Sequence, residues 1–119
     1  MKNVLNNLNQ INKKWYYLSF LILFLILIIP LIYTGNPTFG TDMAFHYNRF
    51  YEAAMQIKNW NFSYFMSLYG FESSGRIANA MYGPFFTYLQ GLLALVSGTW
   101  YRYQLLSNFL IYTTASWSL

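Results

Sequence analysis

Read along the chain, the first pattern is a block without period. From Trp15 to Thr41 no residue is charged, and Leu18 to Ile32 is almost wholly Leu, Ile and Phe. A helix needs about 20 apolar residues to cross about 30 Å of hydrocarbon, and this block supplies them. Trp15, Tyr16 and Tyr17 at one end and Tyr33 at the other suit the two interfaces of a bilayer. Pro30 sits near the end of the run, where a lost backbone bond is cheapest. Lys13 and Lys14 also suit the start of a signal peptide, but Tyr33-Thr34-Gly35-Asn36-Pro37 offers no small-x-small cleavage site. A first span over 15–33 is therefore expected.

Two more apolar runs follow. Met81 to Tyr101 is uncharged and apolar from Phe85 to Val96, with Pro84 in the first turn of a helix, where proline is tolerated. Tyr103 to Leu119 is uncharged again but carries Ser107, Asn108, Thr113 and Thr114, polar groups that suit helix–helix contacts inside a membrane. These runs predict a second span over 81–101 and a third over 103–119. The sequence stops inside the third run with no polar flank, which suggests the N-terminal piece of a larger polytopic chain.

Between the first two spans, a period does appear. Gly35-Asn36-Pro37 is turn chemistry, Thr41 is a good N-cap and Asp42 falls in the first turn. A helix over 42–59 places Asp42, His46, Arg49 and Ala53 at i, i+4, i+7 and i+11, so the polar trio shares one face. Phe45, Tyr47, Phe50 and Tyr51 spread over the rest, which suits a helix lying on the membrane surface. Asn59-Trp60-Asn61-Phe62 reads as a break, Ser63–Tyr69 as a short helix or strand, and Gly70–Gly75 as a loop.

Composition and charge strengthen this reading. Hydrophobic residues make up 56% and charged ones 8%, against about 25% charged in ordinary soluble domains. Ten charged side chains do not cover a water-facing surface. The net charge of +4 includes no basic run and no aromatic-interleaved basic face, so no nucleic-acid partner is expected. No cysteine is present, which excludes disulfides and thiolate metal sites. Lys2, Lys13 and Lys14 precede the first span and put the N-terminus in the cytoplasm by the positive-inside rule, with Arg102 on the same side. The 34–80 segment is then external and neutral, holding Arg49, Lys58 and Arg76 with Asp42, Glu52 and Glu72.

The candidate chemistry lies in that segment. As a helix N-terminal acid, Asp42 is worth only about 0.3–1 kcal/mol. As a carboxylate at the membrane mouth, it can take a proton from an attacking hydroxyl or hold a metal. His46 and Arg49 on the same face add an imidazole and a guanidinium, the latter able to grip phosphate bidentately. One carboxylate and one imidazole fall short of a recognisable metal site, which leaves a divalent ion at Asp42 open.

Asp42-Met43-Ala44-Phe45-His46-Tyr47-Asn48-Arg49 resembles the Asp-x-x-Phe-His-x-x-Arg signature of large bacterial membrane proteins of the GT-C glycosyltransferase type. Some of these are labelled six-pyruvoyl-tetrahydropterin-synthase-related membrane proteins. Tyr82-Gly83-Pro84 is similar to the Tyr-x-Pro element that leads into their second span. The resemblance implies an enzyme that transfers a sugar from a polyprenyl-phosphate donor at the outer face of the cell membrane, inactive as this piece alone. It implies a first-loop carboxylate at Asp42, acting as general base or metal ligand, and donor-phosphate contacts at His46 and Arg49. A second acid beside Asp42, common in such enzymes, is absent: its neighbours are Thr41 and Met43.

The expected fold is all-α and membrane-embedded, with about three transmembrane helices and an external amphipathic helix. A non-catalytic polytopic protein, such as a transporter piece or polymer-export subunit, is the alternative, and a small anchored protein is a third. The enzyme requires an accessible Asp42 beside a cavity shared with His46 and Arg49. A packing role requires Asp42 to cap its own helix and Arg49 to pair with Glu52 or lipid phosphate.

Overall fold

The computed structural model describes residues 2–118, with side chains from Lys14 to Ser118. The side chains of the N-terminal segment that carries Lys2 and Lys13, and Leu119, lie outside the described residues. Four helices account for the chain: α1 (Lys2–Thr34), α2 (Met43–Asn59), α3 (Pro84–Ser97) and α4 (Trp100–Trp117). Among the described residues there is no strand.

Helix α1 is the apolar block. Its stretch Lys14–Thr34 has a mean hydropathy of 2.5, and only 11% of its most apolar window is buried against the rest of the protein. Leu21, Ile22, Leu25, Ile26, Ile29 and Ile32 all face outward. A soluble core helix hides such side chains, and an exposed apolar sleeve of this size marks a surface that meets a membrane or a protein partner. Gly35, at φ 63°, ends the helix and returns its amide to Leu31 O at 3.1 Å. Among the described residues, α1 is the only helix long and apolar enough to cross a bilayer.

The register of the helices departs from a three-span zigzag. Phe24 of α1 packs edge-on against Phe109 and Tyr112 of α4, at 6.2 and 5.3 Å, while Tyr17 and Trp117 share the wall of one groove. Four residues past the end of α1, Thr38 is bound by Gln104 near the start of α4. So α4 runs antiparallel to α1, and Arg102 lies at the C-terminal end of α1, beyond Thr38. That corrects its expected place on the side of the N-terminus. The apolar run expected to be the second span yields only a 14-residue helix, α3, about 21 Å long and short of the hydrocarbon thickness. Its N-terminus is held back by irregular chain through Met81–Gly83, where Gly83 takes φ 77°, and its C-terminus by Gly98 at φ 70°.

Helices α2 and α3 run parallel. His46 meets Tyr82, Phe50 meets Phe86 and Ala53 meets Gly91, a nearly constant offset along both. The two helices touch through Gly91, where a Cβ would sit 2.7 Å from Ala53 Cβ and 2.8 Å from Ala54 N. Small residues at a crossing allow such an approach. The N-terminal half of α4 closes the bundle from the side: Tyr47, Phe50 and Tyr103 form its core, and Trp100 stacks on Tyr47 at 4.6 Å and 9°. Helix α2 thus buries one face in this bundle and leaves Ala44, Asn48 and Tyr51 exposed. Its Tyr47 and Phe50 are buried against protein rather than free for a membrane interface as expected, while Tyr51 stays exposed.

Candidate functional site

Helix α2 begins one residue later than the caps in its sequence indicated. Asp42, not Thr41, occupies the N-cap position, with helical φ and ψ of −97° and −1°, and its side chain makes no capping bond. It stands exposed, and among the described residues only its carbonyl is engaged, by His46 N at 3.2 Å. The carboxylate is therefore free for other chemistry. Met43, the next residue, lines a cavity of about 320 Å³ between α2, α3 and α4, and His46 lines the same cavity, whereas Asp42 and Arg49 do not, so the expected cavity shared by all three is not formed.

His46 and Arg49 are brought together, Nδ1 to Nη1 at 3.3 Å. Guanidinium only donates, so Nδ1 of His46 accepts and the ring proton sits on Nε2. The imidazole is clamped between the faces and edges of Phe45, Phe50 and Tyr82. Arg49 is 3% exposed, and Asn79 Oδ1 at 3.4 Å and Thr87 Oγ1 at 2.5 Å take two more of its donors. Its guanidinium carbon lies 4.6 Å from the Tyr82 ring centre. None of these partners is a carboxylate. Burial pulls the Arg49 pKa below its ordinary value, with Tyr82 acting in the opposite sense. The guanidinium faces inward and acts on His46, rather than reaching a lipid surface itself.

Three residues on, Glu52 is fully buried and unavailable to Arg49. Its carboxylate accepts the backbone amides of Leu68 and Tyr69, both at 2.7 Å, the amide of Gly70, and Gln56 Nε2 at 2.6 Å. Gln56 in turn exchanges two bonds with the backbone of Ser63 and accepts from Tyr88 OH. Sequence reasoning missed both residues as functional supports. An acid and an amide at i and i+4 look like an ordinary solvated face, and only the uncharged, aromatic surroundings hinted otherwise. Together they fix the Ser63–Gly70 part of the 60–83 crossover; Asn79, which accepts from Arg49, lies further along it.

A metal centre receives no support from geometry among the described residues, where no three His, Cys, Asp or Glu side chains converge. The expected break at 59–62 lies on an exposed loop, and Ser63–Tyr69 forms neither helix nor strand. No protein-family profile, curated protein or solved structure matches this chain.

Proposed function

We propose that this chain is the N-terminal membrane region of a GT-C-type glycosyltransferase that draws sugar from a polyprenyl-phosphate donor at the outer face of the cell membrane. The observation that carries this reading is the exposed Asp42 carboxylate, unbonded at the mouth of a helix whose next turn holds a cavity-lining histidine. A cap-only role would engage that carboxylate with its own helix. In this reading α1 and the C-terminal half of α4 lie in the bilayer, the N-terminus is cytoplasmic, and α2, α3 and the crossover sit outside.

Asp42 acts as general base. It takes the proton of the acceptor hydroxyl as that oxygen bonds to the sugar's anomeric carbon, and the polyprenyl phosphate leaves with the electrons of the broken carbon–oxygen bond. His46 offers its Nε2–H to the leaving phosphate. Arg49 works behind it, fixing the ring and its tautomer. The remaining groups of the site come from the rest of a longer polytopic chain.

The inward engagement of Arg49 also suits a non-catalytic polytopic protein, a transporter or polymer-export subunit. Cells carrying Asp42→Asn at the native locus separate the two. Loss of a specific surface sugar at unchanged membrane abundance supports transfer. An unchanged glycan profile, where gene deletion does remove a sugar, would reduce Asp42 to a helix-end acid and move the second reading ahead.

A further inference from the structure

Helix α3 is built inside out. Phe85, Leu89, Leu92 and Val96, at i, i+4, i+7 and i+11, share one face, and all four are exposed, Phe85 at 83% and Val96 at 76%. The opposite face carries Thr87, Gln90, Gly91 and Ser97, and these are the residues the helix buries. A helix packed on a soluble core has the reverse arrangement. Small and polar residues turned inward, with apolar ones turned outward, is how helices pack where the surroundings are themselves apolar. The outward face extends beyond the helix. Phe62 and Tyr64 of the crossover lie against Tyr88, at 5.8 and 5.9 Å between ring centres, and line one shallow hollow with Phe85, Leu89 and Leu92. No charged side chain lines that hollow. Glu72 and Arg76, exposed charges of the crossover, sit in and beside the turn of Phe71, which packs on Phe45 of α2 instead.

The level of α3 follows from its neighbour. Gln90 Oε1 accepts from Tyr103 OH at 2.7 Å, and Phe86 lines a cavity together with Ile111, so α3 runs back along α4. Ile111 falls between Phe109 and Tyr112, whose rings pack on Phe24, and Phe24 is midway along the 15–33 run. The start of α3 is therefore level with the middle of α1. From there its length of about 21 Å exceeds the distance of about 15 Å from Phe24 to Thr34, so it covers the outer half of a hydrocarbon layer about 30 Å thick. Cations stand at its far end: Lys58 shares a hollow with Gly98, and Arg102 follows in the first turn of α4, both exposed. Trp60, two residues past Lys58, is exposed as well. Apolar carbon, then an aromatic ring, then cations is the order of a leaflet from its middle to its anionic headgroups. A contact with another protein requires no such layering. From these observations we infer that the outward face of α3, extended by Phe62 and Tyr64, is seated in the hydrocarbon of the outer leaflet. Helix α3 is then a half-membrane helix that enters no deeper than Phe24. The proposed function puts α3 on the outer side of the membrane, and the inference sets its depth there. It rests on α1 crossing the bilayer and on no step of sugar transfer.

The chain has no cysteine, so a single substitution places a single nitroxide spin label. The whole chain carrying Phe85→Cys, Leu92→Cys, Val96→Cys or, on α1, Ile26→Cys is reconstituted in vesicles of phosphatidylcholine and phosphatidylglycerol. Power saturation in electron paramagnetic resonance then compares collisions with oxygen, which concentrates in hydrocarbon, and with a nickel chelate, which stays in water. All four side chains are exposed, so none of the substitutions opens the core. Oxygen collisions should exceed nickel collisions at Phe85→Cys and Leu92→Cys, as they do at Ile26→Cys, and the excess should shrink towards Val96→Cys. A nickel excess at Phe85→Cys and Leu92→Cys, with Ile26→Cys still in lipid, overturns the seat and leaves the proposed function standing. A nickel excess at Ile26→Cys as well removes the span of α1, and the seat with it. Few collisions with either reagent along α3 mean that protein, such as a second copy of this chain, covers the face, and that too overturns the seat.

Discussion

Gly70 lies directly against Glu52. Its amide donates to the Glu52 carboxylate, and a Cβ built on it would stand 3.2 Å from Glu52 Cβ and 2.7 Å from Asn48 O. A buried acid has thus replaced a strand or helix as the partner for three successive backbone amides, 68 to 70. Glu52→Gln turns one of the two accepting oxygens into a donor facing donors. It should lower stability by about 3 kcal/mol, the worth of one or two charge-assisted bonds. Denaturant titration in detergent measures this, and a change under about 0.5 kcal/mol, the surface-substitution range, would show the crossover to be held elsewhere.

The contact of Gly91 with Ala53 makes a second prediction. Gly91→Val puts branched carbon where Ala53 Cβ and the Ala54 backbone already are, and forces α2 from α3. Overpacking of this kind costs about 1–3 kcal/mol. The Arg49–Thr87 bond crosses the same interface, so loss of His46 ordering should accompany the loss of stability, visible as broadening of its ring resonances. Sharp, unshifted His46 resonances in a folded Gly91→Val protein would refute the coupling.

Phe71, Glu72 and Ser73 form a left-handed turn with φ of 52°, 57° and 57°. Glu72 is exposed there and its side chain holds nothing in place. Replacing it with glycine removes the Cβ penalty, so Glu72→Gly should stabilise the protein by about 1 kcal/mol. A loss of stability instead would mean that this turn is not left-handed in solution.

Tyr47 buries its hydroxyl without a partner, and burial raises its pKa above the ordinary value of 10.0. The folded protein therefore favours the neutral phenol. Its contribution is in full below pH 10 and is lost as pH rises through the folded value, because the unfolded chain ionises first. Tyr47→Phe keeps the stack on Trp100, so at neutral pH stability should hold or rise by up to about 1 kcal/mol, and alkaline destabilisation should lessen. A drop of 2 kcal/mol or more at neutral pH would mean that the hydroxyl has a partner.

The elements were legible where a single strong preference governs. The uncharged run at Leu18–Ile32 and Pro84 at a helix start each have one conformational meaning, and each is found in place, whereas the run expected to continue to 101 stops before Gly98. The pairing of His46 with Arg49 was also readable from their i, i+3 spacing. Direction was not. Whether α3 runs back along α1 or alongside α2 depends on Gly91 meeting Ala53 and on Arg49 reaching Thr87, contacts between residues about 38 apart in the chain. Nothing local to either helix encodes them. The supports of the site stayed hidden for a related reason. Glu52 and Gln90 matter for what surrounds them, and a buried polar residue looks the same in a sequence as a wet one.

Gln104 treats Thr38 as a strand neighbour would: its Oε1 takes the Thr38 amide at 2.9 Å, and its Nε2 gives to the Thr38 carbonyl and hydroxyl. The two residues are 66 positions apart. A ribosome therefore delivers α1, α2 and α3 before the residue that fastens the exit of α1 exists outside the tunnel. Until α4 arrives, the 35–41 connector and the Asp42 that follows have, among the described residues, only local contacts to hold them. The site is consequently set late in biogenesis, after the first helix has already left the tunnel.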